Sequence, residues 1–118
     1  MIITDVKQLE EAVVAVTLEG EMDAFTCVPA REKLHDLIET RAIEVLILDL
    51  EGVAFIDSMG LGLLISCLKR LREKNGRLVL SGASPRVEKI LKLTQLDRVF
   101  ERYPSRAEAL LSVAPSPK

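Results

Sequence analysis

The residues best suited to chemistry lie in one short stretch, 57–62, which reads D-S-M-G-L-G. An apolar run at 45–50 precedes it and a helical pattern follows it, so Ser58 is predicted at a strand-to-helix junction. The start of a helix carries unpaired backbone N–H groups and the positive end of the helix dipole. Such a position favours an anion, and a phosphate on the Ser58 hydroxyl would suit it.

Four interpretations of this junction compete, and the simplest is that Asp57 or Ser58 caps the helix. Capping is a common role of both residue types and contributes about 1 kcal/mol. Capping alone does not explain Gly60 and Gly62, because each glycine destabilises a helix by about 1 kcal/mol relative to alanine. Bare backbone at both positions indicates a close neighbour or a docking partner.

Two catalytic interpretations lack required residues. A nucleophilic serine in a G-x-S-x-G turn needs a glycine where Ile56 stands, and the single histidine, His35, lies in a helical stretch before the serine. A phosphate-accepting Asp57, as in response-regulator receivers, needs an acidic pair after the first strand and a lysine after the last. Lys7 and Glu101 occupy those regions instead, so no enzymatic activity is expected.

In the fourth interpretation Ser58 is phosphorylated and a partner protein responds. A phosphate adds about −1.5 to −2 charges, part of which the helix N-terminus stabilises, so the fold should survive. Asp57 and any partner carboxylate would be repelled. Since each loss of about 1.4 kcal/mol weakens binding tenfold, one phosphate is enough to switch a complex off.

The elements that position Ser58 follow from hydrophobic patterning. Strands are predicted at residues 2–6, 12–18, 43–50, 77–81 and 99–100, the first two as an antiparallel hairpin. The predicted helices cover 27–40 with Thr26 as N-cap, 58–74 with Gly76 as a left-handed stop, a segment opened by Ser84 and Pro85, and one begun by Ser105 and Glu108. This order predicts an α/β fold with a mixed, mostly parallel sheet of about five strands and four helices.

Length and composition narrow the functional classes. The 118 residues fit a single domain at 1–112, followed by a tail at 113–118 that is expected to be disordered. A net charge of −2, with three Phe, one Tyr and no Trp, gives no surface for nucleic acid.

Cys27 and Cys67 form no metal-binding motif, and neither metal nor cofactor is expected. With no secretion signal and no apolar run of about 20 residues, a cytoplasmic protein without a membrane span is expected.

Three motifs resemble STAS domains and, more narrowly, bacterial anti-sigma factor antagonists. Stretch 57–62 after its strand resembles the family signature, the turn 20–23 (G-E-M-D) resembles a turn after the second strand, and 91–100 resembles the last helix-to-strand passage. The resemblance spans nearly the whole chain in the same order. It implies a STAS fold.

The resemblance also implies a protein that is acted upon. Family members bind an anti-sigma factor that is also a serine kinase, and so release the sigma factor. Phosphorylation of the serine ends the complex and a serine phosphatase restores it. By matching position, Ser58 is the phosphorylation site and Asp23, Asp57, Met59 and Gly60 are partner-binding residues. Met59 departs from the small residue usual there, which implies a changed contact or kinase preference.

A second STAS role stays open, that of a non-switching scaffold subunit in a stress-sensing assembly or a lipid-transport ATPase complex. The acceptor serine, Ser58, and the complete turn at 20–23 favour the antagonist.

Overall fold

A computed structural model describes residues 2–113 as a mixed sheet with helices on both faces. The strands are β1 (Ile3–Glu10), β2 (Val13–Met22), β3 (Val45–Ile56), β4 (Arg77–Ser81) and β5 (Glu101–Tyr103). The helices are α1 (Ala24–Thr40), α2 (Ser58–Glu73), α3 (Pro85–Leu93) and α4 (Arg106–Val113). The sheet order is β1-β2-β3-β4-β5, with β1 antiparallel to β2 and the other neighbours parallel. The predicted fold class is confirmed.

Both faces of the sheet are buried, because the central strands are apolar at successive positions. The larger core lies beneath α1, α2 and α3 and includes Val14, Val16, Leu46, Leu48, Leu64 and Leu91. A smaller cluster lies beneath α4 and includes Val13, Ala15, Ile47, Val79 and Ala109. Since α1 and α2 both follow parallel strands onto the same face, they run side by side and start at the same edge of the sheet.

Strands β2 and β3 extend beyond the rest of the sheet. Residues 19–22 of β2 pair with residues 52–56 of β3, whereas the pairing of β3 with β4 stops at Asp49. The predicted strand ended at residue 50, but the continuing β2 backbone supplies hydrogen-bond partners as far as Ile56. Gly20 has a φ of +102°, a conformation that favours glycine, at one of the register shifts in this extension.

The start of α1 differs from the prediction. Asp23, rather than Thr26, is the N-cap, and its carboxylate accepts hydrogen bonds from the N–H groups of Phe25 and Thr26 at 2.9 and 3.0 Å. The Asp23 N–H donates in return to the Thr26 hydroxyl at 3.0 Å, which completes a capping box. The helix therefore begins at Ala24, three residues before the predicted start.

The first strand is longer than predicted. It was expected to end at residue 6, but β1 continues to Glu10, because residues 7–10 pair with residues 13–15 of β2.

Two boundaries later in the chain also differ. The left-handed residue after α2 is Asn75, with a φ of 61°, and not Gly76. Gly76 is instead confined by packing, because a Cβ there would lie 3.1 Å from Leu71 Cδ2. The strand predicted at 99–100 is formed by Glu101–Tyr103, since a short 3-10 helix, Leu96–Arg98, delays it.

The remaining helix starts agree with the sequence. The Ser84 hydroxyl accepts from the Val87 N–H and the Ser105 hydroxyl from the Glu108 N–H, both at 3.2 Å. The predicted tail lies outside the described residues except for Val113, which ends α4. No helix within residues 2–113 is long and apolar enough to cross a membrane.

Candidate functional site

Two helix N-termini meet where β2 and β3 end. The Asp57 N–H donates to the Met22 carbonyl at 3.1 Å, which ties the start of α2 to the turn before α1. Asp23 caps α1 and Asp57 caps α2, so both predicted aspartates lie at one edge of the sheet. Burial is the main reason that the pKa of the Cys27 thiol is raised, and both carboxylates raise it further. Both therefore lie within electrostatic reach of one buried side chain.

Asp57 performs the capping that the sequence left open between two residues. Its Oδ1 accepts hydrogen bonds from the N–H groups of Met59 and Gly60 at 2.8 and 3.1 Å, and its carbonyl accepts from Leu61 at 3.0 Å. Ser58 is the first residue of α2, and its side chain is exposed. Because Asp57 supplies the cap, α2 does not depend on the Ser58 hydroxyl for its start.

Removal of this cap should affect stability in a measurable way. Asp57→Ala is expected to lower the free energy of unfolding by about 1 kcal/mol, because the N–H groups of Met59 and Gly60 lose their acceptor. Ser58→Ala is the matched control and is expected to change it by less than about 0.5 kcal/mol. Urea unfolding followed by circular dichroism measures both. A larger loss for Ser58→Ala than for Asp57→Ala would contradict this assignment.

The two glycines of α2 have different surroundings. Gly60 is buried, and a Cβ there would lie 2.5 Å from Ile56 Cγ1 and 2.9 Å from Met22 Cβ. The close neighbour expected from the sequence is therefore inside the chain at this position. A Cβ on Gly62 would meet nothing within 4 Å, so packing among the described residues does not require this glycine.

Four exposed apolar side chains lie on the elements that end or begin at this edge of the sheet. Met59 is 41% exposed, Phe55 at the end of β3 is 37% exposed, and Phe25 and Val28 on α1 are 89% and 57% exposed. Of these four, only Met59 was predicted as a site residue. The signal in the sequence was that Val28 falls outside the helical spacing of Ala30, Leu34, Leu37 and Ile38, and the structure buries those four residues but not Val28.

The single histidine does not serve Ser58. His35 Nε2 lies 3.0 Å from the Ser66 hydroxyl, about two turns further along α2. Burial lowers the His35 pKa, and Arg70 and Arg31 lower it further. Burial also raises the pKa of the Cys67 thiol to about 12, so this thiol is protonated at neutral pH. Neither side chain supplies a base or nucleophile at the Ser58 junction.

The sheet order and the two capped helix N-termini define an α/β domain of the STAS class. The STAS domain model matches residues 4–109, and the chain belongs to this family. Within it, the chain is 30% identical over 98 residues to the anti-sigma F factor antagonist of Paenibacillus polymyxa, covering 83% of this chain and 84% of that protein.

Two solved structures of the anti-sigma factor antagonist SpoIIAA are also similar. The unphosphorylated form aligns with a TM-score of 0.81 at 27% identity, covering 92% of this chain and 94% of that one. The phosphorylated form, from Bacillus, aligns with a TM-score of 0.74 at 25% identity, covering 93% and 98%. The fold thus resembles that of a protein known in both phosphorylation states.

Proposed function

We propose that this protein is an anti-sigma factor antagonist that phosphorylation of Ser58 switches off. The unphosphorylated form binds an anti-sigma factor with serine kinase activity, and the sigma factor is released. Phosphorylated Ser58 ends this complex, and a serine phosphatase restores it. The observation that carries the proposal is an exposed serine at the first position of α2, beside an aspartate that already supplies the cap.

The position of Ser58 explains how a phosphate would act without unfolding the domain. The side chain is exposed, so a phosphate enters solvent and displaces no core residue. The α2 N-terminus favours negative charge by about 0.3–1 kcal/mol at an exposed site. Asp57 opposes that gain, because its carboxylate is one residue away and already accepts two of the helix N–H groups. The added negative charge therefore alters the partner-binding surface rather than the stability of the domain.

The other predicted site residues have distinct parts in this proposal. Asp23 and Asp57 present carboxylates at the edge of the partner-binding surface, and Met59 presents an exposed apolar side chain beside Ser58. Gly60 is buried, so it acts from beneath by allowing α2 to approach Met22 closely.

The kinase reaction tests the proposal directly. Each anti-sigma factor of the source genome is purified and incubated with this protein, ATP and Mg²⁺, and intact mass is measured. One phosphate is expected on wild type and none on Ser58→Ala. Ser112→Ala, which removes an exposed serine on α4, is the matched control and should still gain one phosphate.

A non-switching scaffold gives the opposite result. In that case no anti-sigma factor transfers phosphate, and Ser58→Ala and Ser58→Asp bind partners as wild type does. Phosphate on a residue other than Ser58 would also contradict the proposed site.

A further inference from the structure

Aromatic residues are scarce in this chain, and two of the three phenylalanines lie at the edge of the sheet where β2 and β3 end and α1 and α2 begin. Phe100 is in the core with 4% exposure, whereas Phe25 is 89% and Phe55 37% exposed. An exposed phenylalanine buries little apolar surface, so it contributes little to the stability of the fold. Aromatic residues and methionine are, however, enriched where proteins bind one another, and they supply much of the binding energy.

The exposed side chains on α1 and α2 are neighbours. His35 on α1 contacts Ser66 on α2 at 3.0 Å. Val28 and Met59 each precede that contact pair by seven residues, which is about two turns on the same helix face. Because the helices run side by side in the same direction, Val28 and Met59 occupy corresponding places next to Ser58. Phe25 lies one turn before Val28, so Phe25, Val28 and Met59 form an apolar strip across the two helix starts.

The strip is bordered by negative charge. Asp23 and Asp57 cap the two helices, and the carboxylates of Glu19 and Glu21 are exposed on the end of β2. The ion pairs found in residues 2–113 lie elsewhere, between α1 and α2 near their C-termini and around β5. The exposed Arg31, one turn after Val28, is the nearest cation along α1, and the four carboxylates outnumber it.

The negative charge around the strip indicates which kind of partner can bind there. A second copy of the chain docked through the same face would bring the carboxylates of Asp23 and Asp57 close to those of the other copy, since a two-fold interface pairs one patch with itself. Like charges facing one another cost several kcal/mol. A partner with an apolar pocket bordered by Arg or Lys side chains is complementary to both features of the strip.

We propose that Phe25 and Val28 are binding residues for the anti-sigma factor, and that Phe25 enters an apolar pocket bordered by cationic side chains. This inference rests on the proposed function and names the chemistry of its partner. It also explains how a phosphate on Ser58 would weaken the complex. A doubly negative group on Ser58, beside Met59 at the end of the strip, has to lose water for the apolar contact to form, and that loss is costly.

Isothermal titration with the anti-sigma factor that phosphorylates Ser58, in ADP so that no phosphate is transferred, tests this inference. Phe25→Ala is expected to weaken binding at least tenfold, and Val28→Ala by a smaller factor. Leu93→Ala is the matched control, because Leu93 is a similarly exposed apolar residue (74%) on α3. It is expected to bind within twofold of wild type. Thermal unfolding of all three variants should match wild type, because the side chains removed are exposed.

The outcomes separate this inference from the proposal beneath it. If Phe25→Ala binds within twofold of wild type while Ser58→Asp does not bind, the role of Phe25 in binding is refuted and the phosphorylation switch stands. If Phe25→Ala and Leu93→Ala lose affinity equally, the strip has no special role and the inference is also refuted. If no anti-sigma factor binds wild type, both fail. Dimers of the isolated protein in light scattering that Phe25→Ala disrupts would make a second copy the occupant and overturn the inference.

Discussion

Ser58→Asp is expected to reduce affinity for the anti-sigma factor by about a hundredfold or more, with the fold unchanged. The substitution places a third carboxylate beside those of Asp57 and Asp23. A charge stripped of water against an apolar pocket costs several kcal/mol, and about 2.7 kcal/mol is a hundredfold. Titration calorimetry and thermal unfolding of the same samples measure affinity and stability together.

Two controls separate charge from shape and from location. Ser58→Asn has a similar size to aspartate without the charge and is expected to lose at most about tenfold. Ser112→Asp adds the same charge at an exposed position on α4 and is expected to bind as wild type. Equal loss for aspartate and asparagine at residue 58 would mean that shape, rather than charge, controls the complex. Unaltered binding of Ser58→Asp would refute the switch.

The parts of this fold that the sequence predicts are those set by local pattern. Apolar runs and helical spacing gave the order of five strands and four helices, and the Asp57–Ser58 junction was located from the residues around it. Ser84 and Ser105 were predicted as caps because an N-cap depends on side chains within one turn. Fold class and the strand-to-helix junction that contains Ser58 can therefore both be predicted from the sequence.

The parts that the sequence does not predict depend on distant residues. The extension of β3 to Ile56 exists because residues 19–22 of β2 supply its partners, and nothing within β3 itself records that pairing. Asp23 was expected on the docking surface but not as a cap, since Thr26 three residues later is also of a capping residue type and directly precedes the predicted helix at 27–40. The apolar strip depends on how α1 and α2 pack, which brings Phe25 and Met59 to one side.

Gly60→Ala and Gly62→Ala are expected to change stability in opposite directions, although both place the same methyl group in the first turns of α2. At Gly60 the methyl would lie 2.9 Å from Met22 Cβ and 3.0 Å from the Met22 carbonyl oxygen. Neither atom can move away by side-chain rotation, and overpacking of this kind costs about 1–3 kcal/mol. At Gly62 the methyl meets nothing within 4 Å, and alanine is favoured over glycine by up to about 1 kcal/mol in a helix.

Urea unfolding of the two variants tests this contrast, because each serves as the other's control for helix propensity. If Gly60→Ala is as stable as wild type, α2 can shift from Met22 without cost, and the bond from the Asp57 N–H to the Met22 carbonyl does not fix the two helix starts. Gly62→Ala carries a second consequence. Packing within residues 2–113 gives no steric reason for this glycine, and we expect a partner to approach it closely. The variant is therefore expected to unfold at higher urea and to bind the anti-sigma factor more weakly.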